Sequence, residues 1–290
     1  MTRNAIPDLS GETILVTGAT SGIGYEAAVV FATAGARTVI IGRNPDKTDA
    51  VLAEIKERSG SDAVDALLCD FSSQAAIRRL AQTVLDRYPR LDVLVNNAGT
   101  VHTQRTLTDD GIEATFAVNH LGYFLLTHLL LDRLVASAPA RIVNVASTVH
   151  YRGTLDFDDL GFEQGYAIMK AYARSKLANV LFTRELAKRL EGRGVTVNAL
   201  HPGVVATHIW DGAPSWTQPL FTLAKRIFMA TPAQGAETIV YLATYPDVAE
   251  ASGLYFEKNR PKEPSKLARD SKIAERLWVE SERLTGSGNA

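Results

Sequence analysis

Tyr172 and Lys176 stand four residues apart in a strongly helical stretch, Tyr172-Ala-Arg-Ser-Lys176. Helical geometry stacks positions i and i+4 on one face, so the ammonium is expected beside the phenol. An opposite charge within about 4–6 Å lowers the pKa of an acid, and tyrosine starts near 10, which would make the pair a proton donor and acceptor usable around neutral pH. Tyr166 and Lys170 share the spacing and form a rival pair. The chain also opens with Thr17-Gly18-Ala19-Thr20-Ser21-Gly22-Ile23-Gly24. Gly18, Gly22 and Gly24 fall where a strand turns sharply into a helix. Glycine tolerates positive φ and lets backbone approach a pyrophosphate, while a helix N-terminus offers free N–H groups and partial positive charge. The spacing is wider than the usual dinucleotide fingerprint, and a ligand-free glycine turn is the alternative. With a bound dinucleotide, the tyrosine would serve as the acid of a hydride transfer.

The end of the second strand reads Ile40-Ile41-Gly42-Arg43. An acidic residue there would bond ribose hydroxyls and select NAD, whereas the planar fork of arginine suits a 2′-phosphate. NADP(H) is therefore the expected cofactor, against the reading of Arg43 as a solvated loop cation.

These residues need a scaffold, and short apolar runs alternating with longer amphipathic segments supply one, as βα units on a parallel sheet do. Strands are expected near Thr13–Thr17, Thr38–Ile41, Val64–Cys69, Val93–Asn96, Arg141–Ala146, Val195–Leu200 and Gly253–Phe256. Their Val, Ile and Leu runs lack alternation, as in strands covered on both faces. Helices are expected over roughly 22–35, 46–58, 73–87, 109–136, 165–191, 233–244 and 266–284. The predicted fold is a doubly wound α/β (Rossmann) domain spanning 1–290, a seven-stranded parallel sheet with helices on both faces. Two segments break the rhythm, Tyr151–Gly165 and about 204–232. The second carries Trp210, Trp216, Phe221 and Phe228, and both have the length of lids or binding segments.

Composition excludes several alternatives. With 46% hydrophobic and 22% charged residues and a net charge of −1 over 290 residues, the chain has no basic surplus to draw nucleic acid or anionic lipid. The single cysteine, Cys69, forbids an internal disulfide or a cysteine-rich zinc site, and its place after an apolar run reads as a buried hydrophobe. The six histidines share no ligand spacing, so no metal is assigned; His150, close after Ser147, reads as a surface residue in preference to one bordering the substrate pocket. Residues 1–12 hold no apolar core of a signal peptide. Leu121–Leu131, the longest apolar stretch, falls short of the ~20 residues that span a bilayer. A cytoplasmic location without a membrane anchor is the expectation.

In order along the chain, Thr17–Gly24, Asn96-Asn97-Ala98-Gly99, Asn119 in a helix, Ser147 after a strand, Tyr172-x-x-x-Lys176 and Pro202-Gly203 resemble the short-chain dehydrogenase/reductase pattern. The likeness covers about the whole chain. Tyr172 to Val205, and Pro264-Ser-Lys-Leu-Ala-Arg-Asp through Glu275-Arg-Leu-Trp, look most like the retinol dehydrogenase-like branch. The Ser-Lys-Leu-Ala-Asn run after Tyr172 favours that tyrosine over Tyr166. The resemblance implies Ser147 on the substrate oxygen, where negative charge grows, and Tyr172 as its proton donor, with Thr148 a weaker substitute for the serine. It implies Lys176 on the nicotinamide ribose and Asn119 holding a water that feeds protons to Lys176. Further cofactor contacts implied are Gly18, Ser21, Gly22, Ile23 and Gly24 in the loop, and Asp70 with Phe71 near the adenine. Asn97, Ala98 and Gly99 would face the adenosine ribose, and Pro202, Gly203, Val205 and Thr207 the carboxamide. For Asp70 a helix-cap role before Ser72-Ser73 is the competing reading, and Asn96 is expected to be structural.

The activity expected is NADP(H)-dependent hydride transfer between nicotinamide and the carbonyl or alcohol of an apolar small molecule. Enone reduction on the same fold, and a non-catalytic dinucleotide sensor or scaffold, are the alternatives. Animal members of the similar branch often carry an N-terminal anchor, whereas this chain starts about ten residues before its first strand; retinoids in particular are therefore not implied. Self-association as a homodimer or homotetramer is implied through helices 109–136 and 165–191.

Overall fold

A computed structural model describes residues 6–203 and 231–288. Its elements, in chain order, are β1 (Thr13–Thr17), α1 (Gly22–Thr33), β2 (Arg37–Gly42), α2 (Pro45–Ser59), β3 (Val64–Leu68), α3 (Gln74–Arg87) and β4 (Val93–Asn96). There follow α4 (Ala114–Phe116), a π turn (Ala117–Leu121), α5 (Gly122–Ala136), β5 (Ala140–Val145), a 3-10 turn (Thr148–Arg152), α6 (Ile168–Arg189) and β6 (Val195–His201). The last group is α7 (Pro232–Thr244), β7 (Tyr255–Glu257), β8 (Arg260–Pro261) and α8 (Ser271–Thr285).

The strands form one sheet in the order β3-β2-β1-β4-β5-β6-β7-β8. The first seven are parallel and β8 turns back antiparallel, pairing Phe256 with Pro261 and Glu257 with Arg260. This eighth strand departs from the seven expected. It is two residues long and follows Lys258 and Asn259, both at positive φ, a tight turn with no apolar pattern to announce it. Side chains alternate across the sheet: Ile14, Val16, Ile40 and Val143 pack under α1 and α7, and Leu15, Val39, Ile41 and Ile142 pack under α3, α5 and α6. Both faces are covered, hence the unbroken apolar runs in the sequence.

The helix expected over 109–136 begins only at Ala114. Thr108 and Ile112 close a turn through Gly111 (φ 75°), and the Glu113 carboxylate takes the N–H groups of Thr115 and Phe116 at 2.9 and 2.8 Å. The π turn then follows, a geometry that often marks functional positions. Taken together, Ala114–Ala136 is long and apolar enough to cross a bilayer (mean hydropathy 1.3), contrary to expectation, and 78% of that window is buried inside the fold. Likewise α6 begins at Ile168 rather than 165, because Ala167 is extended.

The C-terminal helix α8 lies across α6 and the π turn. Trp278 meets Phe124 edge-on at 4.9 Å and Phe182 at 6.0 Å, with the Arg189 guanidinium 4.2 Å from its ring. The helices offered for self-association are thus partly roofed by the chain's own last helix.

Candidate active site

Strand order reverses between β1 and β4, and the crevice at their carboxyl ends is where open α/β sheets take ligands. Hydrogen bonds stitch its two sides. Thr17 Oγ1 accepts from the N–H groups of Asn97 (2.8 Å) and Ala98 (3.0 Å) and donates to Val95 O (3.2 Å). Asn97 Nδ2 donates to Thr17 O and Gly18 O at 2.8 and 3.1 Å. The Asn97 side-chain NH2 group therefore shapes the crevice floor, and the residue also lines the cleft. The sequence set Thr17 at the head of the glycine motif without showing that its hydroxyl would bind the chain after β4.

The loop after β1 approaches β4 closely. A Cβ on Gly18 (φ 65°) would lie 2.7 Å from Ala98 Cα, and one on Gly24 would lie 2.4 Å from Asn97 Nδ2 and 2.8 Å from Gly18 O. Gly24 is off the cleft wall; it lets α1 sit down on β4. Among the described residues five helices (α2, α3, α4, α7, α8) have side-chain N-caps, whereas Ser21 gives α1 no side-chain cap and no acid stands in its first turn. The N-terminal N–H groups of α1 thus meet the cleft without a protein acceptor from the cap, as a pyrophosphate requires.

The cleft has a volume of about 810 Å³. Its wall includes Gly18, Ser21, Gly22, Ile23, Arg43, Asp70, Phe71, Ala98 and Gly99 at one end, and Ser147, Tyr172, Lys176, Pro202 and Gly203 at the other. At Gly42 a Cβ would fall 2.0 Å from Thr48 Oγ1 and 2.5 Å from Thr20 Cγ2, so any side chain there would have to displace both threonines. Arg43, next along, is exposed on the rim. Asp70 faces the cleft and also folds its own turn, Oδ1 accepting from Ser72 N (2.9 Å) and Ser72 Oγ (2.7 Å); Ser73 is the helix cap. Burial pushes the Cys69 thiol up to about 12, which makes it inert. Val205, Thr207 and the aromatic segment 204–230 lie outside the described residues.

At the inner end, Tyr172 is 9% and Lys176 3% exposed. Lys176 Nζ donates to Val145 O at 2.9 Å and sits 5.8 Å from the Tyr172 ring centre and 5.6 Å from that of Tyr123. The expected lowering of the phenol by the ammonium is not what governs here. Burial pushes Tyr172 up to about 12, opposed by its hydrogen bond with Ser147, and burial pushes Lys176 down to about 7. Desolvation disfavours both charged forms, so at neutral pH the pair rests as a neutral phenol beside a half-neutral amine.

Asn119 is wholly buried and off the cleft wall. Its Oδ1 accepts Thr100 N (2.8 Å), and its Nδ2 donates to Thr100 O (3.0 Å) and Ser175 Oγ (3.1 Å). It thus ties the loop after β4 to the helix bearing Tyr172. Asn96 is structural as read, Nδ2 donating to Thr127 Oγ1 and Asn144 Oδ1.

Other expectations separate from the cleft. Tyr166 donates to His102 O at 2.7 Å and Lys170 is exposed, so the rival pair lies off the cleft wall. The segment Tyr151–Gly165 does not behave as a lid, since none of its residues lines the cleft. Arg174 clamps it, donating to Thr154 O and Asp159 O, with its guanidinium 3.6 Å from the Phe162 ring centre. His150, expected at the surface, is fully buried. His201 went unread; it lines the cleft beside Pro202, and burial pushes it down to about 4.

The family model for short chain dehydrogenases matches residues 12–218. The chain belongs to the short-chain dehydrogenase/reductase family. Within it the chain falls in the retinol dehydrogenase-like branch: it is 43% identical to mouse (Mus musculus) retinol dehydrogenase 14 over 290 residues, covering 96% of this chain and 87% of that protein. Among solved structures, an uncharacterised protein from Mycobacterium paratuberculosis superposes with a TM-score of 0.79 at 30% identity, covering 97% of this chain and 96% of the other. A variant of the actinorhodin polyketide ketoreductase with NADPH gives 0.68 at 31% identity, covering 87% and 97%. This short-chain dehydrogenase/reductase is an oxidoreductase of the alcohol/carbonyl pair.

Proposed function

We propose that this short-chain dehydrogenase/reductase moves hydride between NADP(H) and the carbonyl or alcohol carbon of an apolar aldehyde or ketone. The observation that carries this reading is one cleft holding an uncapped helix N-terminus and an arginine at one end and a buried Ser147–Tyr172–Lys176 group at the other. Bound NADPH would supply the hydride. Gly18, Ser21, Gly22 and Ile23 would hold the pyrophosphate, Arg43 the 2′-phosphate, and Pro202 with Gly203 the nicotinamide side.

Ser147 would hydrogen-bond the substrate oxygen, stabilising the charge that grows on it, and neutral Tyr172 would give that oxygen its proton. Lys176, held by Val145 O, then stands ready to stabilise the phenolate left behind. The retinol dehydrogenase names of the relatives and the NADPH in the ketoreductase structure support an apolar carbonyl and a 2′-phosphorylated cofactor. Initial rates with all-trans-retinal, decanal, an aromatic ketone and a cyclic enone, each with NADPH and NADH, test the reading. Turnover of the aldehydes or ketones with an NADPH preference is expected. Reduction confined to the enone double bond, or an NADH preference, would refute it.

A further inference from the structure

We propose that His150 is a positioning residue for Ser147, one that makes residues 262–266 a working part of the active site. The inference rests on the reading of Ser147 as the group that meets the substrate oxygen. Ser147 is extended (φ −165°, ψ 158°) and starts the 3-10 turn Thr148–Arg152. Its side chain takes the Val149 N–H at 3.3 Å and shares a hydrogen bond with Tyr172 on α6. Two further contacts hold the turn itself against that helix. At the far end Gly153 presses on the catalytic helix, where a Cβ would come 2.6 Å from Ala173 O and 2.8 Å from Leu177 Cβ. In the middle stands the His150 imidazole, 0% exposed.

The two ring nitrogens of His150 face backbone groups of unambiguous polarity. Nδ1 lies 2.7 Å from Ser147 O, which can only accept, and Nε2 lies 3.2 Å from Ser265 N, which can only donate. The ring is therefore neutral, with its proton on Nδ1. Ser147 O receives this bond together with one from the His150 backbone N–H at 3.1 Å, so the carbonyl of the catalytic serine is held by main chain and side chain of one residue.

The ring itself cannot drift. It packs against Tyr151 (4.1 Å between centres) and edge-on to Tyr255 (4.7 Å). Tyr151 in turn donates to Glu263 O at 2.6 Å, and Lys262 N donates to Tyr255 O at 2.8 Å, so the segment that supplies the Ser265 N–H is anchored on both sides of the histidine. The consequence is a rigid strut running from residues 262–266 through an imidazole of fixed tautomer to the serine on the cleft wall. Positioning to a fraction of an ångström is what such a strut contributes, because displacement of a reacting partner by about 1 Å can lower a rate by about 100-fold.

The test combines kinetics with a spectroscopic readout. In 15N-labelled wild-type protein at pH 7, two-bond 1H–15N correlations should show His150 with a protonated Nδ1 and an unprotonated Nε2; the opposite tautomer or an imidazolium overturns the proposal. His150→Phe keeps a ring between the two tyrosines and deletes both nitrogens. It is expected to lower kcat for NADPH-dependent reduction of all-trans-retinal, or of decanal where retinal is not turned over, by about 10- to 100-fold. KM for NADPH should stay within about twofold, since the pyrophosphate and 2′-phosphate contacts are remote from it, and the isotope effect with 4-deuterated NADPH should grow. His150→Asn, whose amide N–H can still reach Ser147 O, should recover much of kcat. Wild-type kcat and isotope effect in His150→Phe overturn the proposal. Where the Phe variant does not fold, Ser265→Pro decides: it removes the outer N–H, and an unchanged kcat sinks the strut. Ser147→Ala is the separate control; retained carbonyl reduction there defeats the reading of Ser147 itself, whatever His150 does.

Discussion

Replacing Lys176 by methionine should abolish carbonyl reduction and make the protein more stable. The lysine is 3% exposed, and its burial takes the ammonium from the ordinary 10.5 down to about 7. A native pKa below the unfolded one means that the unfolded chain binds more protons between those values, so stability is lowest at and below pH 7 and rises as pH climbs towards 10.5. Each unit corresponds to about 1.4 kcal/mol; at pH 7, where half of the native lysine is already neutral, the burden works out to about 4 kcal/mol. Methionine keeps the length of the chain and carries no charge. It forfeits the bond from Nζ to Val145 O, about 1 kcal/mol, while Asn179 Nδ2 remains 3.4 Å from that carbonyl. The net gain at pH 7 is therefore about 3 kcal/mol, on the order of 6–10 °C in Tm for a chain of this size. Urea or thermal unfolding of the cofactor-free proteins from pH 6 to 10 measures it. The advantage should shrink steadily above pH 7, vanish near about pH 10 and give way to a small deficit above that, where only the lost bond to Val145 O remains. A variant less stable than wild type at pH 7, or an advantage independent of pH, would refute the claim that burial alone sets the lysine.

Gly24→Ala should cost about 1–3 kcal/mol and weaken NADPH binding, because the added methyl meets Asn97 Nδ2 and the Gly18 carbonyl; denaturant melts and fluorescence titration read both, and an unchanged Kd would show that the loop adapts. His120, fully buried and pushed down to about 4 from 6.5, must charge on unfolding in acid. Stability is complete above pH 6.5 and should decline by about 2 kcal/mol on going to pH 5 through this group alone; His120→Gln should show a correspondingly flatter decline, and equal slopes would exclude His120 as the source. Arg43→Ala should raise KM for NADPH by at least about tenfold and leave NADH kinetics nearly unchanged, since only the 2′-phosphate needs the guanidinium; parallel losses with both cofactors would remove Arg43 from that role.

The central strands were legible as apolar runs bounded by turn formers, and β1 and β4 have the ends read from sequence, whereas β8, Arg260–Pro261, has no such run. The glycine loop was legible for the same local reason: Gly18 and Gly22 both take positive φ at a strand-to-helix turn. What sequence could not show was which way polar side chains spend their hydrogen bonds. Asn119 and Asn97 carry the right names for contacts with a ligand, yet their amides bond Thr100, Ser175, Thr17 and Gly18, partners 19 to 80 residues away. The Tyr172–Lys176 spacing correctly placed both groups on one wall, while their protonation depended on burial by β5 and the π turn, which spacing does not encode. His150 reads as a surface residue until β7 and the residues after it close over it.

The last helix has a consequence for how the enzyme comes into being. Trp278 fills the space between Phe124 and Phe182, Ser281 Oγ meets His120 Nε2 at 2.9 Å, and Gln74 Nε2 reaches Leu284 O at 2.9 Å. A ribosome that has already delivered Ser147, Tyr172 and Lys176 has therefore still not completed their support; the nascent polypeptide must wait for residues 271–285 to clear the exit tunnel before the layer behind its chemistry is sealed. Translation halted near codon 270 would release a product with every reactive group present and an oily furrow open to chaperones and proteases.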